Sequence, residues 1–185
     1  MPPSRTPSTS PTGWRPNSPT ARTNSDVSYR QGRFWQPDVT VATVVVRDGR
    51  LLMVEETVGG QQVLNQPAGH LEPDESLQDA ACRETLEETG WEVRLTGFVG
   101  AYQWKAPDGP DGRAGRHYLR FAFAAEPVRH YPDRTLDEGI IQAVWLTPAE
   151  LQAQAGRHRS PLVWRAAADF LAGRRRPLDL LQHLA

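Results

Sequence analysis

The apolar positions of this chain change period along its length. Two runs rich in aliphatic and β-branched residues, DVTVATVVVR (38–47) and LLMVEET (51–57), predict strands, and Asp48-Gly49 between them predicts a hairpin turn. After Gly59-Gly60 the segment QQVLNQPAGHL is expected to be extended. WEVRLTGFVGAYQW (91–104), HYLRFAFAA (117–125) and IIQAVWL (140–146) predict further strands, with the Gly- and Pro-rich segment 106–116 as a loop. In HYLRFAF, Leu119, Phe121 and Phe123 share one face, which sends Arg120 to the other face with Tyr118.

Helical signals punctuate these strands. Thr147-Pro148-Ala149-Glu150 combines an N-cap, a proline at the first position and a glutamate at the third. Ser160-Pro161 opens another helix, expected to end near Gly173. The strongest signal lies between Gly69 and Trp91: Ser76 is a good N-cap, Asp79 follows three residues on, and Gly90 supplies a left-handed stop, which predicts a helix over Leu77 to Thr89. The whole is an α/β pattern with mixed strands and flanking helices.

That helix carries an unusual charge pattern. At about 100° per residue, Glu84, Glu87 and Glu88 fall within about 100° of one another, on the side that also bears Leu77, Ala80 and Ala81. Like charges at these spacings cost about 0.2–0.5 kcal/mol per pair, and Glu87 and Glu88 also meet the negative end of the helix dipole. Only Arg83 offers local neutralisation. A bound Mg²⁺ or Mn²⁺ reverses the balance, because hard cations take carboxylate oxygens and become the largest local charge. The plainer alternative is a solvated acidic helix end, the usual meaning of a Glu-Glu pair alone.

Gly69, Glu75 after five residues, Arg83-Glu84 after seven more, then Glu87-Glu88, Gly90 and Trp91 resemble the Nudix box, G-x5-E-x7-R-E-U-x-E-E-x-G-U, with U a bulky apolar residue. Thr85 stands where the pattern has an aliphatic, an expected loss of packing rather than of chemistry. The resemblance spans about Trp35 to Leu171, and LNQPAGHLEPDESL, AYQWKAP, HYLRFAF and RSPLV are similar to the NudJ-type phosphatases within the family. It implies the Nudix fold, mixed β-sheets sandwiched between α-helices, over 34–185. It also implies hydrolysis of a diphosphate linked to another group, with Mg²⁺ held by Glu84, Glu87, Glu88 and the backbone carbonyl of Gly69. Arg83 and Glu75 resemble the pair that orients these carboxylates. Family members differ in the source of the base that activates water. Several use a loop acid before the last helices; here YPDRTLDEGIIQAVW offers Asp133, Asp137 and Glu138, with Gly139 a hinge for Glu138, the expected base. Asp137 or Glu87 would take the role if Glu138 does not.

Outside the box, Arg120 is a candidate phosphate grip or a structural salt bridge. Asn65 and Gln66 are candidates for reading the hydrogen-bonding edge of a ring, or else edge-strand caps. Trp104 is a candidate stacking surface or core. His117 and His130 are expected to be solvated loop residues and His70 structural. No P-loop, dinucleotide fingerprint or G-x-S-x-G elbow occurs.

Composition narrows the rest. At 185 residues the chain suits one folded domain. Residues 1–33 hold five arginines against one aspartate, +4, which leaves −5 for the remainder of a chain at −1. An acidic body argues against a nucleic-acid surface. The segment 1–33 is Ser/Thr/Pro-rich and poor in aliphatics, hence expected to be a disordered tail. No apolar signal region and no run of about 20 apolar residues occurs, and the prolines argue against a transit peptide. With Cys82 the only cysteine, neither a disulfide nor a cysteine zinc site is expected. The expectation is a cytoplasmic, Mg²⁺-dependent phosphatase acting on nucleoside di- and triphosphates or on a small organic diphosphate such as hydroxymethylpyrimidine pyrophosphate. The alternatives are a pyrophosphate-releasing hydrolase of damaged nucleotides and, in a different class, a non-catalytic nucleotide sensor.

Overall fold

The computed structural model describes residues 36–109 and 114–184. The expected disordered tail, residues 1–33, lies outside the described residues.

Among the described residues seven strands form: β1 (Asp38–Arg47), β2 (Arg50–Val58), β3 (Gln61–Asn65), β4 (Ala68–His70), β5 (Trp91–Lys105), β6 (His117–His130) and β7 (Ile140–Leu146). Three α-helices accompany them, α1 (Leu77–Thr89), α2 (Pro148–Ala153) and α3 (Pro161–Leu171). Strand β1 is the hinge of the architecture. Its body pairs in parallel with β6, from Asp38↔Tyr118 to Val45↔Ala125, and antiparallel with β4. Its last two residues turn into β2 through Asp48 (φ 51°) and Gly49 (φ 72°), both left-handed, as a tight hairpin whose turn matches strand twist requires. Strand β2 then pairs with β3 and β7, so a mixed group β4-β1-β6-β5 is joined to an antiparallel group β3-β2-β7.

The alternation of β6 explains the layering. Ala122 and Ala124 face α3, in a core with Val44, Val163, Ala166 and Ala167. Phe123 points the other way, into a core with Val41, Phe98 and the Ala80-Ala81 face of α1. A mixed sheet is thus sandwiched between helices, and the small alanines of α1 let that helix approach closely enough to set its acidic stripe beside β4.

Both ends of α1 form as the sequence predicts. The Ser76 hydroxyl accepts from the Asp79 amide at 3.0 Å, and Gly90 (φ 68°) closes the helix by donating to Leu86. At α2 the capping box Thr147/Glu150 is complete. At α3 Ser160 precedes the helix without a side-chain cap bond. Strand β6 runs to His130, five residues beyond its predicted end. His130 is consequently not a loop residue; it stacks on Trp91 with centroids 4.4 Å apart. His117 is the first residue of β6.

A candidate metal and phosphate site

Three elements bring the carboxylates together. Helix α1 supplies Glu84, Glu87 and Glu88; strand β4 supplies the backbone of Gly69; the segment between β6 and β7 supplies Asp137 and Glu138. That segment is tied to the end of α1 by two backbone bonds, Tyr131 to Gly90 (2.8 Å) and Asp137 to Glu87 (3.2 Å). Carboxylate oxygens of Glu84, Glu87 and Asp137 consequently lie within 4.8 Å of one another.

Arg83 organises this group. Its guanidinium forms a fork with Glu75 (2.7 and 2.9 Å), bonds Glu84 and Glu87 (2.9 Å each), and donates to the His70 carbonyl (3.2 Å). One cation thereby joins the β4–α1 loop to two carboxylates of the helix. The bonds from Arg83 hold Glu75 below the usual carboxylate range. Burial instead pushes Glu84 upward, against the pull of Arg83.

Glu88 is set deeper. Its Oε2 accepts from the Ala68 amide at 2.8 Å, and burial raises its carboxyl to about 8 despite that bond. Glu84 and Glu87 group with Asp137, while Glu88 bonds β4 through Oε2 and lines the same cavity as Glu84. Thr85, at the variant position of the box, is fully buried. Its hydroxyl donates to Ala81 O and meets Thr43 Oγ1, both at 2.7 Å, so a buried hydrogen-bonded pair stands where the pattern has an apolar contact.

Two features fit a hard divalent cation here. The ligand set is all oxygen, from three carboxylates and a neighbouring backbone carbonyl. Gly69 is the second feature, since a Cβ on it would fall 2.1 Å from the Glu84 carboxylate, so Glu84 occupies the space a side chain would take. The expectation that a carbonyl of Gly69 and a carboxylate of Glu84 share one ligand is compatible with that contact.

A cavity of about 760 Å³ opens from this acidic end. Glu84, Glu88, Asp137 and Glu138 line it on one side, and Trp104, Tyr118, Arg120 and Asn65 line it elsewhere. Trp104 and Tyr118 are cross-strand neighbours on β5 and β6, stacked at 5.5 Å and 19°. Arg120 is buried, and burial, followed by the neighbouring Arg159, pulls its guanidinium down to about 10. Its bonds are long, 3.4 Å each to Thr40 Oγ1 and Asn65 Oδ1. It makes no carboxylate salt bridge among the described residues.

Gln66 stands apart. Its amide nitrogen donates to Val163 O at 2.5 Å, tying β3 to α3, and it does not line the cavity. Asp133 lies in a separate cleft with Arg129 and Arg134. Glu138 is already on the cavity wall, and Gly139 (φ 87°) is bound through its carbonyl to the Thr57 amide at 2.9 Å. His70 contributes its carbonyl to Arg83 while its ring lies 3.9 Å from Asp38.

Two cavity residues escaped the sequence reading. Glu56 follows Leu52 and Val54 on one face of β2 by ordinary strand alternation and is buried with them. An acid two residues beyond Val54, on that same face, was its local signal. Its partner Arg159 lies in the turn before α3 and bonds Glu56 Oε2 from a sequence separation of 103, which no local pattern reveals.

Comparison with known proteins agrees with this geometry. The NUDIX domain family matches residues 36–165. The chain is 42% identical over 148 residues to phosphatase NudJ of Escherichia coli K12, covering 80% of this chain and 92% of that protein, and equally to phosphatase NudJ of Shigella flexneri. Among solved structures, a NUDIX hydrolase from Nitrosomonas europaea superposes with a TM-score of 0.75 at 45% identity, over 80% of this chain and 98% of that one. The matched span contains the sandwich, the acidic helix and the cavity together: the chain belongs to the Nudix family of hydrolases, enzymes that act on phosphoric anhydride bonds.

Proposed function

We propose that the chain is a Mg²⁺-dependent phosphatase, with Mn²⁺ also serving, that hydrolyses nucleoside di- and triphosphates or a small organic diphosphate such as hydroxymethylpyrimidine pyrophosphate and releases phosphate. The observation that carries this reading is that an acidic cluster, a buried arginine and a stacked aromatic pair line one cavity. Likeness to proteins named phosphatase NudJ supports release of single phosphates. The single cysteine of the chain fits a reducing compartment, and we take that compartment to be the cytoplasm. Among the described residues no helix is long and apolar enough to cross a membrane.

Glu84, Glu87, Glu88 and the Gly69 carbonyl would hold the cation, with Asp137 grouped beside Glu84 and Glu87. When bound, it neutralises phosphate charge and makes a coordinated water more acidic. Arg83 fixes the carboxylates in place through its bonds to Glu75, Glu84 and Glu87. Glu138, on the cavity wall, accepts the proton of the attacking water on a carboxylate oxygen. Arg120 receives a phosphoryl oxygen in place of its long bonds to neutral groups, a charge-assisted exchange. Trp104 stacks on a planar leaving portion, and Asn65 faces its polar edge. Phosphoryl transfer asks a protein mainly for this positioning and charge compensation.

A panel of nucleoside di- and triphosphates and organic diphosphates, assayed with separate phosphate and pyrophosphate readouts, tests the reading. Mainly single phosphates from a triphosphate, with the diphosphate also consumed, is the expected result. Pyrophosphate as the sole inorganic product would overturn it in favour of a nucleotide-sanitising hydrolase.

A further inference from the structure

Glu56 and Arg159 have no catalytic role in the proposed function, yet on the cavity wall a buried carboxylate is paired with a guanidinium whose side chain is 42% exposed. Glu56 is buried at 6% exposure. One of its oxygens is held by the Arg159 guanidinium, while the other, Oε1, is buried without a hydrogen-bond partner. Arg159 is fixed at its other end as well, since its amide donates to Leu64 O at 2.9 Å. Leu64 immediately precedes Asn65, whose side chain touches Arg120. Two guanidiniums, Arg120 from β6 and Arg159 from the turn before α3, therefore approach the same cavity from two different elements, close enough for mutual repulsion.

A buried guanidinium, Arg120, with a second, partly exposed one beside it is unfavourable without anionic company. Glu56 accepts a hydrogen bond from Arg159, whereas Glu56 and Glu88 act on Arg120 only through space. Arg120, bonded only at 3.4 Å to a hydroxyl and an amide, has the donor geometry of a fork without a matching acceptor. A tetrahedral phosphoryl group offers that acceptor, with enough oxygens for both forks.

We propose that Arg120 and Arg159 form a two-guanidinium clamp for a phosphoryl group of the substrate, and that Glu56 is a positioning residue which acts through Arg159. This rests on the phosphatase reading for its substrate and deepens it by assigning an anion-binding element beside Glu88, on the same cavity wall. The clamp itself holds a single phosphoryl group, and a substrate with two linked groups offers the other to the cation. It therefore favours diphosphates and longer chains over phosphate monoesters.

The test uses the full-length protein and inorganic phosphate as probe, with calorimetric titration in Mg²⁺, alongside Mn²⁺ binding followed by electron paramagnetic resonance. Arg120→Gln and Arg159→Gln are expected to weaken phosphate binding by roughly 10- to 100-fold, the scale of a lost charge-assisted bond. Arg159→Lys is expected to weaken it too, since an ammonium cannot fork. Glu56→Gln weakens phosphate binding alone, but the double variant Glu56→Gln/Arg159→Gln, which leaves neither charge without its partner, binds no worse than Arg159→Gln. Mn²⁺ affinity stays within about threefold throughout, a change far below the tenfold step of about 1.4 kcal/mol. Wild-type phosphate affinity in Arg159→Gln, or a loss of Mn²⁺ affinity in Glu56→Gln matching its loss of phosphate, would overturn the clamp. Because phosphate binding is read without turnover, a protein that shows the clamp yet hydrolyses no di- or triphosphate refutes the proposed function alone. One that hydrolyses them with KM unaltered in Arg159→Gln refutes the clamp alone.

Discussion

The carboxylate of Glu84 lies directly over the Cα of Gly69, where a methyl group would stand 2.1 Å from it. The glycine of strand β4 is thus required by a side chain from α1, not by its own backbone conformation. Gly69→Ala is expected to displace Glu84, cost about 1–3 kcal/mol of stability as overpacking does, and weaken Mn²⁺ binding together with turnover. A thermal melt and a Mn²⁺ titration check it; wild-type metal affinity in the variant would refute the shared site.

Thr43 and Thr85 share a buried 2.7 Å hydrogen bond that replaces the apolar contact of the box. Thr85→Val leaves the Thr43 hydroxyl without that partner, at an expected cost of about 1–3 kcal/mol. Thr43→Val/Thr85→Val removes both hydroxyls and is expected to recover most of the loss. Denaturant midpoints of the four proteins measure the coupling, and additive losses would disprove it.

Glu88 makes the metal-free protein sensitive to pH. Its folded carboxyl, raised to about 8, binds a proton that the unfolded chain has already lost. Stability from this group is full below the ordinary carboxylate value, near 4.3, and is lost as pH rises through about 8. Melting in excess chelator is expected to fall across that window, on the order of 2–4 kcal/mol, and Mg²⁺ to restore it at the alkaline end. Glu88→Gln flattens the profile and abolishes hydrolysis; substantial turnover in that variant sinks the metal mechanism.

Glu138 and Asp137 separate by what they lose. Glu138→Gln is expected to lower turnover roughly 100-fold with metal affinity nearly unaltered, the behaviour of a general base. Asp137→Asn, from the group with Glu84 and Glu87, is expected to weaken Mn²⁺ binding first. Steady-state kinetics at saturating and limiting Mn²⁺ distinguish the two, and the reverse pattern would exchange the roles.

The local signals of the chain were sufficient for its elements and for half of its site. Ser76 and Gly90 bounded α1 to the residue, Thr147 with Glu150 began α2, and Asp48-Gly49 made the hairpin, because caps and tight turns are decided within a few residues. The box placed Arg83, Glu84, Glu87 and Glu88 on one helix for the same reason: helical periodicity is a local property.

Contacts across long separations belong to the tertiary structure alone. Asp137 joins Glu84 and Glu87 because the loop after β6 bonds the end of α1, and one oxygen of Glu88 is taken by the Ala68 amide of β4. Gln66, adjacent to Asn65, is withdrawn to Val163 by the packing of α3. Glu56 faces inward with Val54 by strand alternation, but it meets Arg159 only once the turn before α3 docks on β3. Residue types and periods set which chemistry the chain carries. Register and helix docking decide which of those groups meet, since each depends on backbone bonds between segments that no local sequence window contains.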